Sequence, residues 1–404
     1  MSASLMRLPL AAGRFMARLE RLTVLKQHLT TTRMASTTTP EDEVVTSSDG
    51  SGGVKYILLN RPKALNSLNL NMTKIITREM REIEADPSVR VVVMEGAGDK
   101  AFCAGGDIRA VTEAGKVGDK LAQDFFRYEY ILNHLIGTFG KPFIAIQDGI
   151  TMGGGVGLSV HGDFRVATEY TLFAMPETFI GLFPDVGGSH FLPRLTGSLG
   201  MYLALTGYRL KARDVTLAGV ATHFIPRAQI PTLKEHLSEL CSSNGKLPSS
   251  NPMTIIKQEL DSLHQKFSTE HAQSELTLAP HMETINRCFD QPSVEGIVEA
   301  LENEKTEWAK QQLKTLSKMS PTSLKIAHRQ LTLGAQLSFA ECFKMEYRMS
   351  QGCMAGKDFY EGVRAVLVDR DNSPQWTPAI LQDVTDEFVD QYFARLPEDK
   401  ELQL

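Results

Sequence analysis

The chain has 404 residues, a length for two or three domains, and 42% of them are hydrophobic, which excludes wholesale disorder. A formal net charge of −5, from 43 basic and 48 acidic residues, argues against a surface that coats nucleic acid. No stretch free of Asp, Glu, Lys and Arg exceeds fourteen residues (149–162 and 195–208), short of the roughly 20 apolar residues a membrane-spanning helix needs, so a soluble globular protein is expected.

Before Glu41 stand six basic residues (Arg7, Arg14, Arg18, Arg21, Lys26, Arg33) and one acid, Glu20, interleaved with Leu, Met and Phe at helical spacing. A Ser/Thr run, Ser36 to Thr39, follows. An Arg-rich, acid-poor start is the composition of a mitochondrial transit peptide, expected over residues 1–38 and addressing the matrix. A disordered basic tail is the alternative. A secretory signal is disfavoured, because Arg7, Arg14 and Arg18 interrupt its apolar core.

From Val54 the texture changes. Val54 to Leu59 reads as a strand ending at the turn Asn60-Arg61-Pro62. Met72, Ile76, Met80 and Ile83 fall at helical spacing and stop before Asp86-Pro87. Val91 to Met94 is a short apolar run suited to a strand buried on both faces. A Gly-rich loop from Gly96 to Gly106 follows, then a helical stretch around 121–138. Phe143 to Ile146 is strand-like and leads into Gly153-Gly154-Gly155. Phe164 to Ala167 and Leu172 to Ala174 are two more short strands. Strands alternating with helices predict an α/β domain, 39–240, whose regular elements begin near residue 44.

Beyond 240 the strand signals vanish. Residues 241–290 read as a linker and helical segment, with Ser, Asn and Pro concentrated in 242–252. Residues 291–404 read as helical, through Val294 to Leu301, Trp308 to Leu316, Leu324 to Leu333 and Phe339 to Met349. This appendage either packs on the α/β core or offers an oligomer surface. The five cysteines (Cys103, Cys241, Cys288, Cys342, Cys353) form neither a CxxC nor a zinc spacing, so no metal cage or disulfide framework is expected.

Two glycine-rich turns follow predicted strands: Ala101-Phe102-Cys103-Ala104-Gly105-Gly106-Asp107 after Val91–Met94, and Met152-Gly153-Gly154-Gly155-Val156-Gly157 after Phe143–Ile146. Such turns bring backbone close to a ligand and present N–H groups to negative charge. A pair of them can supply two donors to one oxygen, the construction of an oxyanion hole. A packing role for the glycines is the alternative. A dinucleotide GxGxxG fails in register, needing glycine at Leu158 or Val160, and no Walker motif is present. A third loop, Met175 to Gly188, carries Glu177 and Asp185 eight positions apart among apolar, Gly and Pro residues. Carboxylates so placed can act as nucleophile or base. On spacing alone the plainer reading is preferred: Asp185 capping a helix and Glu177 solvated. Ser159 lies outside any GxSxG, and His161, His190 and His223 lack catalytic or metal partners at recognisable spacing, so each histidine is expected to be a satisfied structural one.

Together with Asn60-Arg61-Pro62-Lys63-Ala64-Leu65-Asn66-Ser67-Leu68, these loops resemble the crotonase (enoyl-CoA hydratase/isomerase) superfamily over about 54–230. The resemblance implies an α/β spiral of ββα units that binds acyl-CoA. It places the oxyanion donors on Gly106 and Gly154 and a coenzyme A contact on Lys63, Ala64 and Leu65. Hydratases of the family carry a catalytic glutamate two positions after the triplet, where this chain has Gly157. Only Glu177 of the two acids is retained, which makes hydration doubtful and suits thioester hydrolysis.

The closer resemblance is to the family's 3-hydroxyisobutyryl-CoA hydrolase branch. It rests on Ala101 to Arg109, Gly149 to Gly157, the Glu177/Asp185 loop, Met319 to Lys325 and Asp358 to Ala365. This branch implies a mitochondrial enzyme of valine breakdown that acts also on 3-hydroxypropionyl-CoA. Glu177 and Asp185 are then catalytic, and Glu129 joins Gly154, Glu177 and Asp185 in binding substrate. No cofactor or metal is implied, because coenzyme A belongs to the substrate. The partners expected are a small acyl-CoA, neither nucleic acid nor membrane, with a homo-oligomer left open. The rival readings are a hydratase or isomerase of the same fold and a non-catalytic acyl-CoA-binding protein.

Overall fold

The structure, a computed structural model, describes residues 40–242, 251–268 and 275–404. The leader 1–38 and most of the Ser/Asn/Pro-rich stretch 242–252 therefore lie outside the described residues.

Two sheets organise the α/β part. The larger has the order β1-β2-β3-β5-β7-β10, from β1 (Val44–Ser48), β2 (Val54–Leu59), β3 (Val91–Gly96), β5 (Phe143–Gln147), β7 (Phe164–Ala167) and β10 (His223–Phe224). Only β1 is antiparallel to its neighbour. Val91 to Met94 are wholly buried because β3 lies between β2 and β5 with apolar clusters on both faces. The smaller sheet has the order β4-β6-β8-β9, from β4 (Ala101–Cys103), β6 (Ile150–Met152), β8 (Leu172–Ala174) and β9 (Leu210–Lys211). In it β4, β6 and β8 run parallel.

The chain thus lays β3, β5 and β7 in one sheet and the strand after each in the other, which is the ββα spiral. It also corrects the sequence reading. The stretch Gly96–Gly106 is not loop throughout, since it contains β4, and the glycine turns leave β4 and β6 rather than β3 and β5. Three residues are too few to display a period of two; Leu172–Ala174 still shows as an apolar run, but β4 and β6 run straight into glycine turns and do not.

The helix Leu70–Ala85 buries Met72, Ile76, Met80 and Ile83 against the large sheet. The Asn69 side chain accepts from the Met72 N–H at its start, and Pro87 holds Asp86 in extended backbone at its end. The C-terminal helices Val294–Glu304, Glu307–Leu316, Pro321–Gly334 and Phe339–Ala355 are each capped by a side chain, from Ser293, Thr306, Ser320 and Ser338 respectively. They pack on the core. Leu324 and Phe343 share one apolar cluster with Leu182, Phe183 and Val186 of the acidic loop. Among the described residues no helix is long and apolar enough to cross a membrane.

Candidate active site

Parallel β4, β6 and β8 lie side by side, so the loops leaving their carboxyl ends must meet. Those loops are the two glycine turns and the start of the acidic loop. Crevices outside the carboxyl ends of parallel strands are where α/β sheets bind ligands. Here they enclose a cavity of about 80 Å³ lined by Gly105, Gly106, Gly153, Gly154, Glu129, Glu177 and Asp185, with Phe125, Phe126, Ile180 and Leu182 among its apolar walls. It has room for a short acyl group or a few waters, and a whole coenzyme would have to extend beyond it.

The glycines are there for geometry. Gly105 and Gly153 have φ of 116° and 46°, conformations that a side chain resists. A Cβ on Gly154 would lie 3.2 Å from the Gly106 nitrogen and 2.4 Å from Glu129 Oε1, so the two turns and Glu129 converge on one spot. A Cβ on Gly155 would lie 2.1 Å from the Cys103 carbonyl oxygen, so that glycine lets the following turn pack on β4. Packing and ligand-facing roles are therefore divided within a single triplet. Among the described residues the N–H groups of Gly106 and Gly154 meet no backbone or side-chain acceptor.

All three carboxyls are at most 5% exposed. Glu129 comes from the helix Leu121–Gly137 and is not the surface glutamate that helical position alone allows. Glu177 opens the turn Glu177–Ile180 and is buried rather than solvated. Asp185 does not cap the helix Gly188–Phe191, which has no side-chain cap; its Oδ2 accepts from the Tyr130 hydroxyl at 2.9 Å.

Burial pushes Glu177 well above the usual carboxylate range, and Asp185 nearby adds to the shift. Burial pushes Asp185 up to about 7, against the opposing hydrogen bond from Tyr130. Glu129 is raised well above its usual value by burial, then by Asp185 and Glu177. Three carboxyls so close and so dry share their protons as a set. Among the described residues Glu129 Oε1 and Glu177 Oε2 have no hydrogen-bond partner, so both stand ready for a ligand or water.

The turn Lys63-Ala64-Leu65 is tied to the first glycine loop without lining the cavity. The Leu65 carbonyl accepts from Ala104 N at 3.0 Å, and Leu68 N donates to Gly105 O at 2.8 Å. The buried Asn66 side chain donates to Ala97 O and Ala101 O, locking the turn beside β4. Leu65 and Asn66 both take positive φ there, 53° and 55°.

At Gly157 a Cβ would lie 2.6 Å from Val186 Cβ and 2.8 Å from Asn133 Nδ2. No side chain fits, so the missing hydratase acid is excluded by shape as well as by sequence. His161 and His223 are hydrogen-bonded as expected, to Val186 O and to Thr222 and Asp261. His190 is a partial exception, because its buried Nδ1 has no partner among the described residues while its ring packs on Phe339. No group of three or more His, Cys, Asp or Glu able to hold a metal occurs among the described residues.

Sequence reasoning missed Tyr130, Asn133, Gln330 and Glu346, each buried at or behind the site. Glu346 carried a signal: an acid among the apolar Cys342, Phe343, Met345 and Met349 of one helix.

Two sheets joined by ββα units, with paired glycine turns and buried acids at the strand ends, define an acyl-CoA-binding class. The chain belongs to the enoyl-CoA hydratase/isomerase family, whose model matches residues 54–393. It is 55% identical over 376 residues to the mitochondrial 3-hydroxyisobutyryl-CoA hydrolase of Xenopus tropicalis, covering 93% of this chain and 94% of that one. To the Homo sapiens protein of the same name it is 50% identical over 377 residues, again covering 93% and 94%. The crystal structure of a carnitinyl-CoA dehydratase from Mycobacterium thermoresistibile superposes with a TM-score of 0.79 at 34% identity, covering 90% of this chain and 98% of that one.

Proposed function

We propose that this chain hydrolyses 3-hydroxyisobutyryl-CoA in the mitochondrial matrix as a step of valine breakdown, with 3-hydroxypropionyl-CoA as a second substrate. Residues 1–38 serve as the import leader. The observation that carries this reading is 55% identity to a protein of that name over nearly the whole of both chains. The site supports it by shape: Glu177 stands at the glycine turns, and there is no room at Gly157, where a hydratase carries its other acid.

In this reading the Gly106 and Gly154 N–H groups hold the thioester oxygen and stabilise the charge that gathers on it. Glu177 attacks the carbonyl carbon directly, or takes a proton from the water that does. In the direct route the C–O bond to Glu177 replaces the C–S bond and coenzyme A leaves as thiolate. Water then hydrolyses the mixed anhydride to the free acid and Glu177, supplying the proton the thiolate takes up. In the water route the C–O bond forms to water, the C–S bond breaks, and Glu177 passes the proton it took from water to the departing sulfur. Burial raises the proton affinity of Glu177, which strengthens it as an acceptor of the proton from water. Asp185, held by Tyr130, accepts a hydrogen bond from the 3-hydroxyl of the acyl group, and Glu129 closes the far wall. Lys63, Ala64 and Leu65 contact coenzyme A outside the cavity.

Free-thiol release from a panel of 3-hydroxyacyl-CoA and 2-enoyl-CoA esters tests the reading. Hydrolysis liberates the thiol and hydration does not. Thiol release from 3-hydroxyisobutyryl-CoA is the expected result. Loss of enoyl absorbance without thiol would identify a hydratase.

A further inference from the structure

The acidic loop is held one residue at a time by side chains from elsewhere in the fold. The Pro184 carbonyl accepts from Gln330 Nε2 at 2.7 Å. Tyr130 binds the Asp185 carboxyl, and His161 Nε2 meets the Val186 carbonyl at 2.7 Å. Gly187 N–H donates to Glu346 Oε2 at 2.7 Å, while Ser189 N–H and its hydroxyl both donate to Glu346 Oε1. Gln330 also donates to Glu346 Oε1 at 3.3 Å, joining the two supports.

These ties act on an awkward backbone. Val186 has φ of 52° and Gly187 of 85°, and the left-handed region disfavours a β-branched residue such as Val186. Such a conformation persists only where its surroundings over-determine it. Glu346 is fully buried and spends both oxygens on the residues just after Asp185. It belongs to the C-terminal helix Phe339–Ala355, and Gln330 to the helix Pro321–Gly334.

We propose that Glu346, with Gln330, is a positioning residue through which the C-terminal helices hold Asp185 at the angle that reads the 3-hydroxyl of the substrate. This rests on the reading of Asp185 given above. The C-terminal region thereby sets acyl specificity without touching the acyl group.

Substitution of one oxygen separates positioning from general support. Glu346→Gln keeps an acceptor for Ser189 and places an NH2 group against the Gly187 N–H, two donors facing each other. The loop must shift to relieve them. The experiment measures kcat/KM by thiol release for 3-hydroxyisobutyryl-CoA and for isobutyryl-CoA, on wild type, Glu346→Gln, Glu346→Asp, Ser189→Ala and Asp185→Asn. Asp185→Asn is expected to lower the preference for the hydroxylated ester by about one to two orders of magnitude. Glu346→Gln should lower it in the same direction by at least about threefold, and Glu346→Asp, which keeps both acceptor oxygens, should lower it less. Ser189→Ala removes a single bond to Glu346, so it carries the test if Glu346→Gln does not fold.

A loss equal on both esters in Glu346→Gln and Ser189→Ala, beside a lowered preference in Asp185→Asn, overturns the inference and leaves the reading of Asp185 standing. An unchanged preference in Asp185→Asn overturns both.

Discussion

Gly154→Ala crowds the paired donors with the smallest available change, at the cost of also turning Glu129. The added Cβ keeps the backbone N–H, yet lies 3.2 Å from the Gly106 nitrogen, close to where an oxygen accepting from that group would sit. Hydrogen-bonded oxygens lie about 2.7–3.1 Å from such donors. The methyl group and the thioester oxygen therefore compete for one place. The same Cβ lies 2.4 Å from Glu129 Oε1, a contact the protein can relieve by turning the free end of that side chain. The fold should survive on that account. Loss of one oxyanion donor costs about 10²–10³ in kcat, so displacement of the oxygen from the pair is expected to cost at least about 10². Thiol release under saturating 3-hydroxyisobutyryl-CoA gives kcat, and circular dichroism checks the fold. A folded Gly154→Ala enzyme turning over within about threefold of wild type would refute the assignment of the oxygen to this pair.

Glu177→Gln preserves size while removing both nucleophilic charge and basicity, so hydrolysis should fall by about 10²–10⁴ with acyl-CoA binding retained; unchanged turnover would remove Glu177 from the chemistry. A transient adduct on Glu177 seen by mass spectrometry after rapid quenching would select nucleophile over base. Asp185 holds its proton to about pH 7 when folded, against an ordinary value of 3.8. Its stabilising contribution is therefore complete below pH 3.8 and is lost as pH rises to about 7. Asp185→Asn should consequently gain stability relative to wild type as pH rises from about 4 to 7 in denaturant melts and level off above that, and a pH-independent difference would contradict the burial argument. Gly157→Ala should destabilise by roughly 1–3 kcal/mol, because its Cβ would lie 2.6 Å from Val186 Cβ. Gly157→Glu should be worse and should not add water to enoyl-CoA esters; recovered hydration would show that the loop yields.

The elements readable from sequence were those whose stabilising contacts are periodic along the chain. Val54–Leu59, Phe164–Ala167 and Leu172–Ala174 appear with the bounds that apolar runs between turns predict. The helix Leu70–Ala85 follows from four apolar residues at helical spacing and from Asp86-Pro87. The glycine clusters were legible as well, since few other demands place three glycines in succession after a strand. The fold family and its hydrolase branch were likewise within reach of motifs alone.

What the sequence left open depends on contacts between distant residues. Strands β4 and β6 each have three residues and are held by parallel pairing between Ala101–Cys103 and Ile150–Met152 rather than by local preference. The same pairing brings Gly106 beside Gly154. Spacing alone left Glu177 and Asp185 as plausible solvated or capping acids, because ionisation in a loop depends on what covers it. That cover is tertiary: Phe125, Phe126 and Glu129 from one helix wall the acids in, and Glu346 from the C-terminal region anchors their loop. Sequence determined which groups the site contains. Only the packed structure decided which of them lose water, and with it how tightly they hold their protons, because desolvation is a property of the surroundings and not of the residue.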